Sequence, residues 1–221
     1  EAWLGLLAGE GIEVDDERVT AAMHPAGSRF DAEWRQNRYY GAAAAVDDML
    51  DHLGAKVGPG VRADLLASIA DPEPDVAHLP EPTDHVGEAL EALRSRGVRV
   101  GIICDVGWAP STTLRHYLER HGLLGHFDHW SFSDDVGTFK PDPAIFRHAL
   151  AGLGDVAPSD AAHVGDLRRT DVAGARAMGI RAIRYRGVFD GPGRADDGSD
   201  QVEGDAVIDD HADLLAALDL P

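Results

Sequence analysis

HVGDLRRTDVAGARAMGI, residues 163–180, decides how the rest of the chain is read. The run AAHVGD is a short apolar strand ending at Asp166, a loop then carries Asp166 and Asp171, and TDVAGARAMG is a helix that stops at Gly179. IRAIRY, directly after that glycine, is a second strand. Strand, helix and strand in this order predict a right-handed βαβ unit and hence a parallel sheet. Ligands of such sheets bind where loops leave the carboxyl ends of strands, which puts both aspartates in the ligand zone.

The same rhythm extends in both directions. HVGEALEALRSRG, with Thr83 as its expected N-cap, is a helix ending at Gly97, and VRVGIIC is a strand ending at Cys104. PSTTLRHYLERHGLL and PAIFRHALAGLG are two further helices, while DAVID and HADLLAALDL form a last strand and helix. The expected fold class is α/β, a Rossmann-like parallel sheet core with helices on both faces. Residues 1–76 read differently, as helices only, with Trp3, Leu4, Leu6 and Leu7 on one apolar face and Val46, Met49, Leu50 and Leu53 on another. DPEPDVAHLPEP, residues 71–82, is too rich in proline to continue a helix and is the expected connector, dividing the chain into 1–76 and 77–221. GPGRADDGSDQVEG, residues 191–204, is an acidic, glycine-rich loop to which no chemistry is assigned.

Composition limits the function. A net charge of −19 over 221 residues argues against nucleic acid or an anionic membrane as a partner, so an anionic ligand must be met by a local cluster. The longest apolar runs fall well short of the ~20 residues of a membrane helix, and no signal segment opens the chain, so a cytoplasmic location is expected. The single cysteine, Cys104, excludes an internal disulfide and a multi-cysteine zinc site.

Three strand ends or turns carry the candidate chemistry. Asp166 and Asp171 suit a hard divalent cation, since Mg²⁺ takes one or two carboxylates together with waters and a substrate phosphate; equally, Asp171 can serve its helix N-terminus and Asp166 the turn. Lys140, one of two lysines beside eighteen arginines, stands between Phe139 and Pro141 in the turn before a helix. A lysine offers a compact point charge suited to one phosphate oxygen; it is also the commonest kind of solvated surface charge. Cys104, Asp105 and Val106 form a turn whose backbone N–H groups can receive a phosphate, or whose thiol simply packs as a small hydrophobe.

The order of these pieces, CDVG after a strand, KPDP before a helix, then GDLRRTD after a strand, resembles the haloacid dehalogenase-like hydrolase superfamily. SDDVGTFKPDPAIF and HVGDLRRTDVAGARAMGI are its most specific segments, and the resemblance covers most of residues 83–218. Residues 1–76 resemble the helical cap that many members insert after their first strand. The resemblance implies a Mg²⁺-dependent phosphatase of a small phosphorylated metabolite, working through a phosphoaspartyl intermediate. Lys140 would hold the phosphoryl group and steady the nucleophile, Asp166 would bind Mg²⁺, and Asp171 would lie close by or coordinate. Trp34, Arg38, Trp108 and Arg168 are candidate substrate-lining residues, although an ordinary helix with solvated arginines explains the first two as well. A metal-independent haloacid dehalogenase and a non-catalytic binding or regulatory protein on the same fold are the alternatives.

Two departures from the family pattern stand out. The phosphate-binding Ser or Thr is Cys104 here, a weaker donor, and its neighbour is Asp105 where many members have Asn. No D-x-D-x-T or D-x-D-x-V segment follows an apolar strand anywhere in residues 1–221, and EAWLGLLAGEG opens on a helical pattern already under way. The nucleophile strand is therefore expected upstream of Glu1 or from elsewhere, seated between the strands ending at Cys104 and Asp166. Without it, the facing backbone groups of both strands would go unpaired at roughly 1–3 kcal/mol each. Substrate, pathway and oligomeric state are not legible.

Overall fold

The computed structural model describes residues 2–69, 80–188 and 203–220. The described part of the 71–82 connector is residues 80–82, and of the 191–204 loop only Glu203 and Gly204; the rest of both lies outside the described residues. The chain forms two compact units, one of Glu1–Leu79 with Val106–Tyr117, the other of Pro80–Asp105 with Leu118–Pro221.

The first unit is helical: α1 (Ala2–Gly9), α2 (Asp16–Arg35), α3 (Ala42–Leu53) and α4 (Pro59–Ile69). Asp15 caps α2 by accepting the Arg18 N–H at 2.8 Å. Spacing of i, i+3, i+4 and i+7 turns Val46, Met49, Leu50 and Leu53 of α3 to one side, where they are buried with Trp3, Leu7 and Leu65. Gly54, with φ of 66°, ends α3 in the left-handed region that favours glycine. Trp108 and Phe30 pack against this cluster, which is why the segment after Asp105 belongs with the helices.

The second unit is α/β. In chain order it contains α5 (Val86–Ser95), β1 (Gly101–Cys104), the end of α6 (Ser111–Arg120), β2 (His129–Phe132), α7 (Ser133–Val136) and α8 (Pro143–Gly152). β3 (Ala162–Gly165), α9 (Ala173–Ala177), β4 (Arg181–Tyr185), β5 (Ala206–Ile208) and α10 (Leu214–Ala217) follow. All strand pairings among the described residues are parallel. Strand alternation explains why helices cover both faces: Ala182 of β4 points into a core with Ile145, Phe146 and Ala175, whereas Ile183 and Tyr185 point into one with Ala89, Leu93 and Leu214.

Two local readings change. Thr83 does not cap α5; the residue before the helix is His85, in a left-handed conformation, and the Thr83 hydroxyl lies 3.2 Å from His211 Nδ1. β2, HWSF, lacks a pure apolar run and is not marked as a strand by the sequence pattern; its pairing with β1, from Gly101 opposite His129 to Cys104 opposite Phe132, is a tertiary effect.

The sheet is in two pieces among the described residues, β1–β2 and β3–β4–β5. Between them lies a cleft of about 1120 Å³. Ile102 and Ile103 of β1, Val164 of β3, Leu93 of α5 and Phe146 and Leu150 of α8 line it. No described helix is long and apolar enough to cross a membrane.

Phe146 is fully buried, so Phe146→Ala should cost about 3–5 kcal/mol in denaturant unfolding. Val188→Ala, at a position 72% exposed, should stay within about 0.5 kcal/mol of the parent.

Candidate active site

The polar cluster of the second unit forms around the ends of β1 and β3. β1 ends at Cys104, and the next residue, Asp105, accepts the backbone N–H of Lys140 on Oδ1 at 2.9 Å. The turn bearing Lys140 is held on its other side by α8, where Pro143 occupies the first turn and Asp142 accepts the Ala144 N–H at 2.8 Å. Buried Phe139 anchors the residue before the lysine.

After β3 the chain makes a π-helical turn, Arg168–Val172, before α9, so Asp171 sits inside a widened turn. The carboxylate folds back against β3 into space left by Gly165, where a Cβ would collide with it. Lys140 Nζ donates to Asp171 Oδ1 at 2.7 Å, and the side chains are 12% and 3% exposed. His163 Nε2 donates to the same oxygen at 2.9 Å, and Leu167 N–H and Thr170 Oγ1 reach Oδ2 at 3.2 and 3.3 Å.

These contacts set the charges. Burial alone would push the Asp171 carboxyl up, but the Lys140 charge and the His163 hydrogen bond outweigh it and hold the group well below the usual carboxylate range. Burial likewise works against the Lys140 ammonium, while Asp171 and then Asp105 raise it above an ordinary lysine. Asp166 is shifted the other way: burial and the Asp171 charge raise its carboxyl. Burial pushes the Cys104 thiol up to about 11, so at neutral pH it is a weak S–H donor rather than a thiolate.

Cys104, Asp105, Lys140, Asp166 and Asp171 thus act on one another electrostatically. Asp171 has its oxygens occupied by four donors, whereas the Asp166 carboxyl is raised by burial and by the Asp171 charge. Among the described residues no three His, Cys, Asp or Glu side chains converge as a metal-ion site. Arg168 donates from Nε to Glu203 Oε1 at 2.9 Å. Val106 (2% exposed), Trp34, Arg38 and Trp108 belong to the first unit. There Arg38 donates from Nε to Glu33 Oε2 at 2.5 Å and is exposed, and Trp108 packs on the helical core.

Three residues of this region escape the sequence pattern. His163 shares a strand face with Gly165, a period-2 relation that could have pointed to it. Arg184, only 1% exposed in its side chain, lies in an apolar strand; it pairs with Glu203 and donates from Nε to the Asp166 carbonyl at 3.4 Å. Glu203 joins Arg168 and Arg184, a long-range pairing with no sequence signature.

The second unit thus pairs its strands in parallel and gathers a lysine and several aspartates at their ends. The model of the haloacid dehalogenase-like hydrolases matches residues 6–179, and the chain belongs to that family. It is 40% identical over 94 residues to a phosphoserine phosphatase of Thermus thermophilus, covering 42% of this chain and 36% of that one. Identity to a glyceraldehyde 3-phosphate phosphatase of Methanopyrus kandleri is 32% over 140 residues, covering 63% and 57%. The crystal structure of a HAD phosphatase from Thermococcus onnurineus is similar with a TM-score of 0.54 and 26% identity, over 86% of this chain and 78% of that one. The chain therefore spans less than two thirds of the length of these two curated relatives.

The pattern around KPDP suggests that Lys140→Ala would leave the melting temperature nearly unchanged; the burial of the pair changes that expectation. Lys140→Ala strands a buried carboxylate and should cost about 3–5 kcal/mol, while the double variant Lys140→Met with Asp171→Leu should recover most of the loss. The low Asp171 carboxyl contributes stability that is complete above its ordinary value near ~3.9 and is lost as pH falls below it. The raised lysine contributes until pH climbs past its ordinary ~10.4. The difference between parent and Lys140→Ala should therefore be flat from about pH 5 to 9 and shrink in acid, read by urea titration at each pH.

Proposed function

We propose that this chain is the cap and most of the core of a phosphatase acting on a small phosphorylated metabolite, with residues 1–76 as the cap and 77–221 as the core. The observation that carries the reading is the buried Lys140–Asp171 pair at the strand ends, together with Asp166, whose carboxyl the Asp171 charge helps to raise. The phosphatase names of two relatives point the same way.

In this reading Lys140 keeps its charge at neutral pH and spends one of its three N–H donors on Asp171, leaving the others for a phosphoryl oxygen and the nucleophile. Asp105 fixes the lysine backbone, which limits how far the ammonium can drift. The backbone N–H groups after Cys104 supplement a thiol that donates weakly. A largely desolvated, prepaired charge of this kind stabilises developing phosphoryl charge without reorganising when the reaction occurs.

Asp166 fits a hard divalent cation, because a carboxylate raised by burial and a neighbouring negative charge favours an added positive one. Mg²⁺ bound there would neutralise phosphate charge. Asp171 stands close by as the counter-ion of Lys140, its oxygens already engaged.

The nucleophilic aspartate lies on a strand outside residues 1–221. The divided sheet and its apolar cleft support a strand seated between β1 and β3. With that strand present, the reaction proceeds through a phosphoaspartyl intermediate.

The natural full-length protein should hydrolyse an aryl phosphate, lose turnover with EDTA and regain it with Mg²⁺. Phosphate binding without turnover, with EDTA having no effect, would favour the binding or regulatory alternative. Amide exchange offers a second check: residues 101–104 and 162–165 should exchange at least tenfold more slowly in the full-length protein than in residues 1–221 alone.

A further inference from the structure

His163 touches the buried carboxylate of Asp171 directly, yet has no task in the phosphatase chemistry proposed for Lys140 and Asp166. It lies on β3, two residues before Gly165, so both residues present the same strand face. Gly165 leaves the space that the Asp171 carboxylate enters, and His163 meets that carboxylate with Nε2 at 2.9 Å from Oδ1. A carboxylate only accepts, so the imidazole holds its proton on Nε2 and donates. The ring is fixed from its other side by Phe146, edge to face at 5.3 Å and 77°. Its side chain is 12% exposed, so water does not compete strongly for the contact.

We infer that His163 is a positioning residue for Lys140, acting through Asp171. The inference rests on the assignment of Lys140 as the residue that holds the phosphoryl group. Lys140 and His163 share one oxygen, Asp171 Oδ1, while Oδ2 is held by Leu167 N–H and Thr170 Oγ1. Both oxygens are thereby pinned by donors other than the lysine. The ammonium closes on a target that is already immobile, and its backbone is tied separately to Asp105. An imidazole suits this place because its Nε2–H can donate to a carboxylate oxygen from a ring held rigidly by its neighbours. Removing the donor frees the carboxylate to turn, and the lysine turns with it.

The test uses His163→Leu, which removes the donor, and His163→Gln, whose amide nitrogen can reach the position of Nε2. In the full-length enzyme with an aryl phosphate, His163→Leu should lower kcat by about tenfold or more while KM changes by less than about threefold, and His163→Gln should recover most of the loss. A second readout is independent of activity. Residues 1–221 contain two lysines, Lys56 and Lys140, whose ¹³C-labelled side-chain signals are assigned by Lys56→Arg and Lys140→Arg. The Lys140 signal should move toward that of exposed Lys56 in His163→Leu and hold its place in His163→Gln. If the parent enzyme turns over no phosphate yet the signal moves as expected, the phosphatase reading fails and the positioning contact stands. An unmoved Lys140 signal in His163→Leu overturns the inference, whether kcat stays at the parent value or falls in both variants in step with melting temperature.

Discussion

A carboxylate taken almost fully out of water must be paired, or it will bind a proton instead. Asp171 is in that position, and its environment follows from the requirement. Lys140 is drawn from a distant turn, His163 from the neighbouring strand, and the Leu167 N–H from a turn wide enough to point inward. The widened turn, the glycine at 165 and the aspartate that caps α8 all serve one ion pair. Such a pair contributes little net stability, since desolvation cancels much of the attraction, but it specifies one arrangement of three chain segments.

That economy bears on chemistry. A lysine in solvent is a mobile charge whose direction averages out, whereas Lys140 is held at its backbone by Asp105 and at its ammonium by Asp171. The two anchors follow different strands, β1 and β3, so the ammonium is fixed relative to both strand ends at once. Asp166, which feels the charge of Asp171, is shifted the opposite way: burial and that charge raise its carboxyl. The site holds one carboxyl lowered by its partners and one raised by burial and by its neighbour's charge, so the difference between them comes from surroundings rather than from residue type.

The alternation of strand and helix, the βαβ unit at 163–180 and the apolar faces of α3 were legible because each rests on local periodicity. Lys140, Asp166 and Asp171 could be grouped from the sequence only through the order of their motifs, which resembles the family's, since each alone has an ordinary structural explanation. What could not be read was which of the two aspartates the lysine would take, since that is decided by the π-helical turn and by the room at Gly165. β2 was missed because HWSF has little strand character of its own, and Thr83 was misread as a cap because its hydroxyl is committed to His211, 128 residues away. Arg184 drew no separate reading within IRAIRY; its partner Glu203 lies outside any local window.

The division of the sheet also governs how the second unit holds together. α8 is the main link between the halves, packing on β1 and β2 and meeting α9, while α5 joins the core built on β4 and β5. Side-chain packing is the principal mortar there, and packing tolerates slippage far better than a hydrogen-bonded ladder does. The polar ties from Asp105 through Lys140 to Asp171 join the same two halves at their strand ends. A single extended segment bonded along both edges would add a continuous ladder to these contacts, and in doing so would make the geometry of the lysine cluster inseparable from global stability.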